Sequence, residues 1–405
     1  MAAPSLASPR DLTIPEPGST TGRTVLSAAM SKLLRELPAL LHHAPSGARA
    51  EATEMQRLLA LVFKKSPGAV VSALRRPTVG ALLRSLRGDA LPRREQVMRE
   101  LLALFALELA VLGALPGPVR LPRFPERLLS LPARLAIVPP KDASALVIEN
   151  GRVTIERPSA SIQIDLEAPA DAPFVDRPYH SIDGNVVLAL ADNNPLSMME
   201  AHPDKEGNAV DLGEHPVTEW TDELGWGLRT IGRHLPELRG EMELFIQQMV
   251  PVGWHAEKHL SASYQEAIGT IYLTLHPSRM TLAEALIHEF SHNKLNALFE
   301  VDEVLENAWS PLYTSPVRPD PRPLHGVLLA VHAFLPVARL YERMIAEGDP
   351  LADSASFHGR YAAIRKINRE GAELVLDKGR PTALGQGLFD EIRRWDAHYA
   401  AVSDT

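Results

Sequence analysis

The residues whose types and spacing could do chemistry are concentrated in one stretch, Thr281-Leu-Ala-Glu-Ala-Leu-Ile-His288-Glu289-Phe-Ser-His292-Asn-Lys-Leu-Asn-Ala-Leu298. It carries His-Glu-x-x-His inside a run of good helix formers. Residues four apart lie one above the other on a helix face. His288 and His292 would therefore offer two imidazole nitrogens to one divalent cation, with Glu289 beside the open coordination positions. The competing reading of the five letters is a helix with two solvent-facing or hydrogen-bonded histidines. The helical context and the histidines further on favour the metal.

Two histidines do not hold a catalytic metal alone, so the third donor decides the chemistry. A metzincin-type zinc peptidase needs a third His six residues after His292, and position 298 is Leu. A thermolysin-like site needs a Glu on a following helix, for which Glu300, Glu303 and Glu306 are the nearby candidates. His325 and His332 are better placed: seven residues apart on one expected helix, they share a face. His325 is the preferred third ligand, and His332 would contact substrate or support the ligands. Arg318 and Arg322 stand just before them in a Pro-rich, extended loop. A guanidinium grips a carboxylate as a planar fork, and two beside a metal suit a small dicarboxylate. The alternative for them is an ordinary ion pair with Asp320 or the acidic run. Upstream, Asp192, Asn194 and His202 lie in polar, turn-rich segments and are candidates to line a pocket, although Asn and Asp at turns commonly serve the backbone.

The elements that must position these groups are legible in outline. Thr281 reads as the N-cap of the metal helix, with Glu284 three residues on completing a capping box. Leu282, Leu286, Leu295 and Leu298 give the helix an apolar face. A strand at Gly269–Leu275 leads into it and would wall the site. Helical spacing runs from Arg23 to about Leu115 in roughly four helices. Seven prolines between Pro116 and Pro140 mark a connector, because such a stretch cannot continue as helix. The period then changes to two, with strands on either side of Asn150-Gly151, a strong hairpin signal. One helical pattern covers 218–249, another runs from about Pro323 to Glu347 with a kink near Pro336, and two more fall near 355–376 and 387–400. The expected class is α+β: a flexible arm (1–22), a helical subdomain (23–115), a Pro-rich connector (116–140), and a mixed domain (141–405) whose metal helix packs on a sheet.

Composition narrows the possibilities. With 42 basic against 50 acidic residues the net charge is −8, which argues against a general nucleic-acid binder. Residues 1–134 hold 19 Lys/Arg and 10 Asp/Glu, a surplus of +9 that leaves −17 for the remainder. That basic third could dock an acidic partner, with Arg93 and Arg94 as candidates, although a solvated helical face is the commoner outcome. The chain has no cysteine, so disulfides, thiolate zinc sites and cysteine nucleophiles are excluded. Leu101–Leu115 is too short and interrupted for a membrane span and reads as a buried helix. With no apolar segment of signal-peptide length, the expectation is a cytoplasmic, soluble protein.

Together these residues carry a resemblance. His288-Glu-Phe-Ser-His292, followed by Trp309-Ser-Pro, Arg322-Pro-Leu-His-Gly and Ala333-Phe334, and preceded by Asp192-Asn-Asn-Pro-Leu and His202-Pro-Asp-Lys-x-Gly-Asn, resembles the HExxH-motif peptide-modification proteins of ribosomal peptide natural product pathways. The resemblance covers roughly residues 180–345. It implies an iron(II)- and 2-oxoglutarate-dependent dioxygenase that hydroxylates a side-chain β-carbon in a ribosomally made precursor peptide. His288 and His292 would bind iron, and Arg318 or Arg322 would hold the 2-oxoglutarate carboxylate. Three protein ligands would leave positions for the keto acid and oxygen, with Glu289 ordering a metal-bound water, orienting a ligand or, like an acid of 300–306, supplying a carboxylate donor. Two other classes stay open. One is a zinc metallopeptidase or amidohydrolase with Glu289 as general base; the other is a non-catalytic peptide-binding module.

Overall fold

Two large hydrophobic cores organise the computed structural model, which describes residues 7–88, 91–168, 174–199, 201–202, 205–314 and 320–402. The class is α+β. In the first core, helices Arg49–Lys65, Pro67–Leu74, Pro77–Ser85 and Arg94–Val111 pack with an antiparallel sheet. Its strands run in the order Val119–Leu121, Ala145–Glu149, Arg152–Glu156, Ile162–Asp165. Residues 101–110 are buried throughout, as expected of a core helix. The Asn150-Gly151 turn closes its hairpin with Gly151 at φ +71°, where a side chain would be strained.

The expected division of the chain is displaced. Segment 116–140 is not a linker: it supplies Val119–Leu121, Leu128–Ser130 and Leu135–Ile137, its prolines falling largely outside the strands, where a missing N–H costs no ladder bond. Because the hairpin at 145–156 seals the N-terminal helices, the first core extends through Leu166 and also takes in Ala191. The helix Thr21–His42 belongs to both cores. Its Val25, Leu26 and Ala29 face the second; Met30, Leu33, Leu37 and Leu41 face the first.

The second core holds a five-stranded sheet, ordered Ser261–Ala262, Thr270–Leu275, Gln248–Trp254, Val186–Ala189, Tyr179–Asp183. The middle three strands are parallel and the outer two antiparallel to their neighbours. Alternation along Thr270–Leu275 separates the two faces. Ile271, Leu273 and Leu275 join the core that contains the helix Arg279–Val301, whereas Tyr272 faces the other way with Tyr179 and Val250. Around the Arg279–Val301 helix pack Thr21–His42, Val217–His234, Pro236–Phe245 and Leu324–Ala346. The 218–249 pattern thus resolves into two helices, the second beginning at Pro236, where proline fits a first turn and not an interior. Ala355–Lys378 and Gln386–Ala401 complete the chain's helices.

The N-terminal segment departs most from expectation. Of the 1–22 arm, residues 7–22 are described: 7–20 are a strap pinned to the protein, and Thr21 and Gly22 open the first helix. Leu12 and Thr13 are fully buried. The Glu391 carboxylate accepts hydrogen bonds from the backbone N–H groups of Thr13 and Ile14. The helix Leu324–Ala346 is long and apolar enough to cross a membrane by composition, yet two thirds of its most apolar window is buried inside the protein.

Candidate metal centre

The metal helix begins one turn earlier than Thr281 implies. Ser278 is its N-cap, its hydroxyl accepting from the Thr281 N–H at 3.3 Å. Glu284 is consequently free of any capping role. Its carboxylate instead accepts from Arg360 at 2.6 Å and from the Tyr341 hydroxyl at 2.5 Å.

From this helix His288, Glu289 and His292 project together. One ligand atom from each lies within 4.8 Å of the others, and no other such group of three is found among the described residues. The two imidazole rings are 4.4 Å apart between centroids, and His292 Nδ1 is 3.7 Å from Glu289 Oε2. Glu289 is only 3 % exposed. Its carboxylate is held from the edge strand of the sheet: Ser261 Oγ donates to Oε1 and Ser263 Oγ to Oε2, both at 2.7 Å. Asn293 braces the same corner, donating to Ser263 Oγ at 3.1 Å and to the backbone oxygens of Thr270 and Glu289. A carboxylate has about four lone-pair positions, so two serine hydroxyls leave capacity for a cation. Two imidazoles and a fixed carboxylate are a donor set that can hold a divalent cation and leave coordination positions open.

The group opens into a cleft of about 410 Å³. Ser261 and Ser263 line one side, Gly326, Ala330 and Phe334 the other, and Arg322 and Arg360 supply positive charge. Phe334 meets the His288 ring edge-on at 4.8 Å. Arg322 pairs with Asp320 at 3.3 Å, the ordinary ion pair anticipated for it, while still facing the cleft. Arg360 already serves Glu284.

The other expected participants lie elsewhere. His325 and His332 do share a helix face, but the cleft face, Gly326–Ala330–Phe334, is roughly 100–180° further round. His325 stacks on Trp309 at 4.5 Å and meets Phe299 in a tilted contact at 4.3 Å, and burial depresses its pKa to about 4. It is not part of the metal group. His332 is fully buried against the strap, its Nδ1 3.0 Å from Thr13 Oγ1. Burial, with the Lys294 charge adding to it, holds that imidazole well below the usual histidine range. Glu300 is committed to Arg84 and Arg87 at 2.8 Å each, and Glu306 pairs with Arg380; neither joins the group. Asp192 and Asn194 engage the Tyr272 hydroxyl at 2.9 and 3.2 Å, on the sheet face opposite the metal helix. Burial raises the Asp192 carboxyl to about 6. Arg318 lies outside the described residues. His202 sits in a short strand pairing with Lys205, and its side chain is likewise outside them.

Sequence reasoning missed Ser261 and Ser263. Their signal was an i, i+2 pair of hydroxyls beside a strand, which places both on one face. Arg360 left none, because its approach to the cleft is set by how the Ala355–Lys378 helix docks.

No protein-family model matches the chain, and no curated protein matches it at a significant level.

Proposed function

We propose that this protein is an iron(II)- and 2-oxoglutarate-dependent dioxygenase that hydroxylates a side chain, at the β-carbon, in a ribosomally made precursor peptide. The observation that carries the reading is the His288–Glu289–His292 cluster, two imidazoles and one carboxylate within 4.8 Å at the wall of an arginine-bearing cleft. Such a set leaves half of an octahedral shell for a chelating keto acid and oxygen. When bound, iron(II) with 2-oxoglutarate and dioxygen supplies an oxidant that converts C–H to C–OH, with succinate and carbon dioxide as the other products.

The chain's own residues do the positioning. His288 and His292 supply neutral nitrogen donors from one helical turn. Ser261 and Ser263 fix the Glu289 carboxylate, so its orientation requires no rearrangement on metal binding. Arg322 holds the distal carboxylate of the keto acid by a charge-assisted fork. Phe334 covers the His288 ring and keeps water from that side. The edge strand Ser261–Ala262 borders the cleft and pairs with one neighbour in the sheet, which suits an extended peptide laid alongside it. A hydrolytic zinc site with Glu289 as base would need a third protein ligand other than Glu289, and the described residues group none there.

Anaerobic addition of iron(II) and 2-oxoglutarate should produce the weak visible charge-transfer band of a chelated keto acid. Arg322→Gln should weaken 2-oxoglutarate binding about tenfold at unchanged iron affinity. Absence of the band, together with zinc-dependent peptide cleavage, would establish the hydrolase instead. Unaltered metal content in His288→Ala would point to a binding module.

A further inference from the structure

A second cleft, of about 450 Å³, lies where the N-terminal helices meet the five-stranded sheet. It shares no lining residue with the metal cleft. Arg75 and Arg76 enter it from the turn between two short helices, Arg134 from the turn after Leu128–Ser130, and Asn185, Gln247 and Glu243 from the sheet side.

The charges in this cleft do not balance. Glu243 is the one acid among the lining residues, and its carboxylate is 3.1 Å from Arg239. Arg76 is anchored from behind, donating to Gln247 Oε1 at 2.9 Å with Glu108 3.7 Å from its Nε. Glu108 is a weak counter-charge, because burial lifts its carboxyl to about 7. Arg134 donates only to the neutral Ser181 hydroxyl among the described residues. Arg75 is half-buried, and its side chain has no carboxylate or hydrogen-bond acceptor among the described residues. Desolvation and the neighbouring Arg76 and Arg23 charges both disfavour its protonated form. A partly buried guanidinium costs free energy unless its donors are met. Two partly buried guanidiniums, Arg75 and Arg76, and the exposed Arg134 line one concave surface whose single acid, Glu243, is engaged by Arg239, and together they form a receptor for an anion.

We propose that this cleft binds a small dianionic molecule, a phosphate monoester or a polycarboxylate, through Arg75, Arg76 and Arg134. Asn185 and the Ser72 hydroxyl add neutral donors on its rim. Arg75 is the determinant, since Arg76 is already committed to Glu108 and Gln247. The site takes no part in the metal chemistry, and its ligand would bridge the N-terminal core and the sheet.

Binding of inorganic phosphate, pyrophosphate and citrate to the full-length protein, measured by calorimetry at ionic strength matched with chloride, tests the proposal. Saturable one-to-one binding is expected. A preference for pyrophosphate identifies a phosphoryl ligand, and a preference for citrate a carboxylate. Arg75→Gln should weaken the preferred anion roughly tenfold or more, and Arg134→Gln by a similar factor. The exposed Glu243→Gln should tighten binding, a gain that misfolding cannot mimic. No saturable binding by any of the three, equal effects from chloride, or an Arg75→Gln protein that is natively folded and binds as well as wild type would overturn it. So would capture of acidic peptides without affinity for small anions.

Discussion

Removing the Ser261 hydroxyl separates a positioned metal ligand from a merely buried acid. Ser261 Oγ donates at 2.7 Å to Glu289 Oε1, and this is its one side-chain hydrogen bond among the described residues. Ser263 remains in Ser261→Ala, still holding Oε2 and braced by Asn293. A hydrogen bond to a charged group contributes about 1.5–3 kcal/mol, so the metal-free variant should lose about 1–2 kcal/mol of stability once water partly replaces the hydroxyl. The effect on metal binding should be separable, because a ligand orienter that is removed typically weakens affinity 10–100-fold. With one of two orienters retained, about tenfold is expected. Iron(II) affinity measured anaerobically by competition with a coloured chelator gives one number, and urea denaturation of the apo-protein gives the other. An apo-protein destabilised as expected whose iron affinity stays within twofold of wild type would refute the assignment of Glu289 as an oriented donor. It would return that residue to a structural or base role.

His288→Ala and His292→Ala should each abolish stoichiometric metal binding, whereas His325→Ala should retain it and lose about 1–3 kcal/mol of stability with its contacts to Trp309 and Phe299; elemental analysis beside thermal denaturation checks both. Stability should also depend on pH through buried acids. Glu100, Glu108 and Glu391 are each raised by burial to about 7. A carboxyl with a raised folded-state pKa keeps its proton in the native protein after the unfolded chain has lost it. The stability it contributes is therefore whole below about 4.5 and is lost as pH climbs through about 7. His325 acts oppositely: its depressed pKa gives stability present above about 6.5 and lost as pH falls through about 4. Between pH 6.5 and 8 the acids dominate, so the melting temperature should fall. Glu108→Gln should melt near wild type at pH 5 and higher at pH 8, by an amount on the order of 3 kcal/mol for a shift from 4.5 to about 7. Parallel pH profiles for variant and wild type would count against it.

What could be read from the residues alone was the local part. His-Glu-x-x-His on a helix is fixed by a period of 3.6, and Asn150-Gly151 by the backbone a tight hairpin demands. The failures share a cause. That His325 and His332 occupy one face follows from helical geometry, but which way that face turns depends on the rotation of Leu324–Ala346 against its neighbours. Residues 7–20 show no period because they form no regular element, and their burial is decided by Glu391 and His332, more than 300 positions away. The pattern at 145–156 spells a hairpin, but which core its Leu146, Ile148, Val153 and Ile155 join is settled by packing against the N-terminal helices.

The buried polar layer behind the metal helix explains why the strap is there at all. Arg279–Val301 turns His288, Glu289 and His292 towards the cleft, yet its opposite side also carries polar groups, among them Lys294, which is fully buried. A buried ammonium needs a counter-charge, and Glu241 provides it at 2.5 Å. Glu241 also accepts from the backbone N–H of Gly22 at 3.1 Å, where the strap becomes helix. Thr13 joins the same layer, bridging His332 of the crossing helix and Glu391 of the last one. The metal helix is thus clamped in rotation: the hydroxyls of Ser261 and Ser263 hold Glu289 on one side, and Glu241 of the Pro236–Phe245 helix holds Lys294 on the other. A site that must keep three donors within ångströms of their places needs such support from rigid surroundings. The strap and the Gln386–Ala401 helix meet through Thr13 and Glu391, and Thr13 reaches His332 of the helix that packs directly on the metal helix.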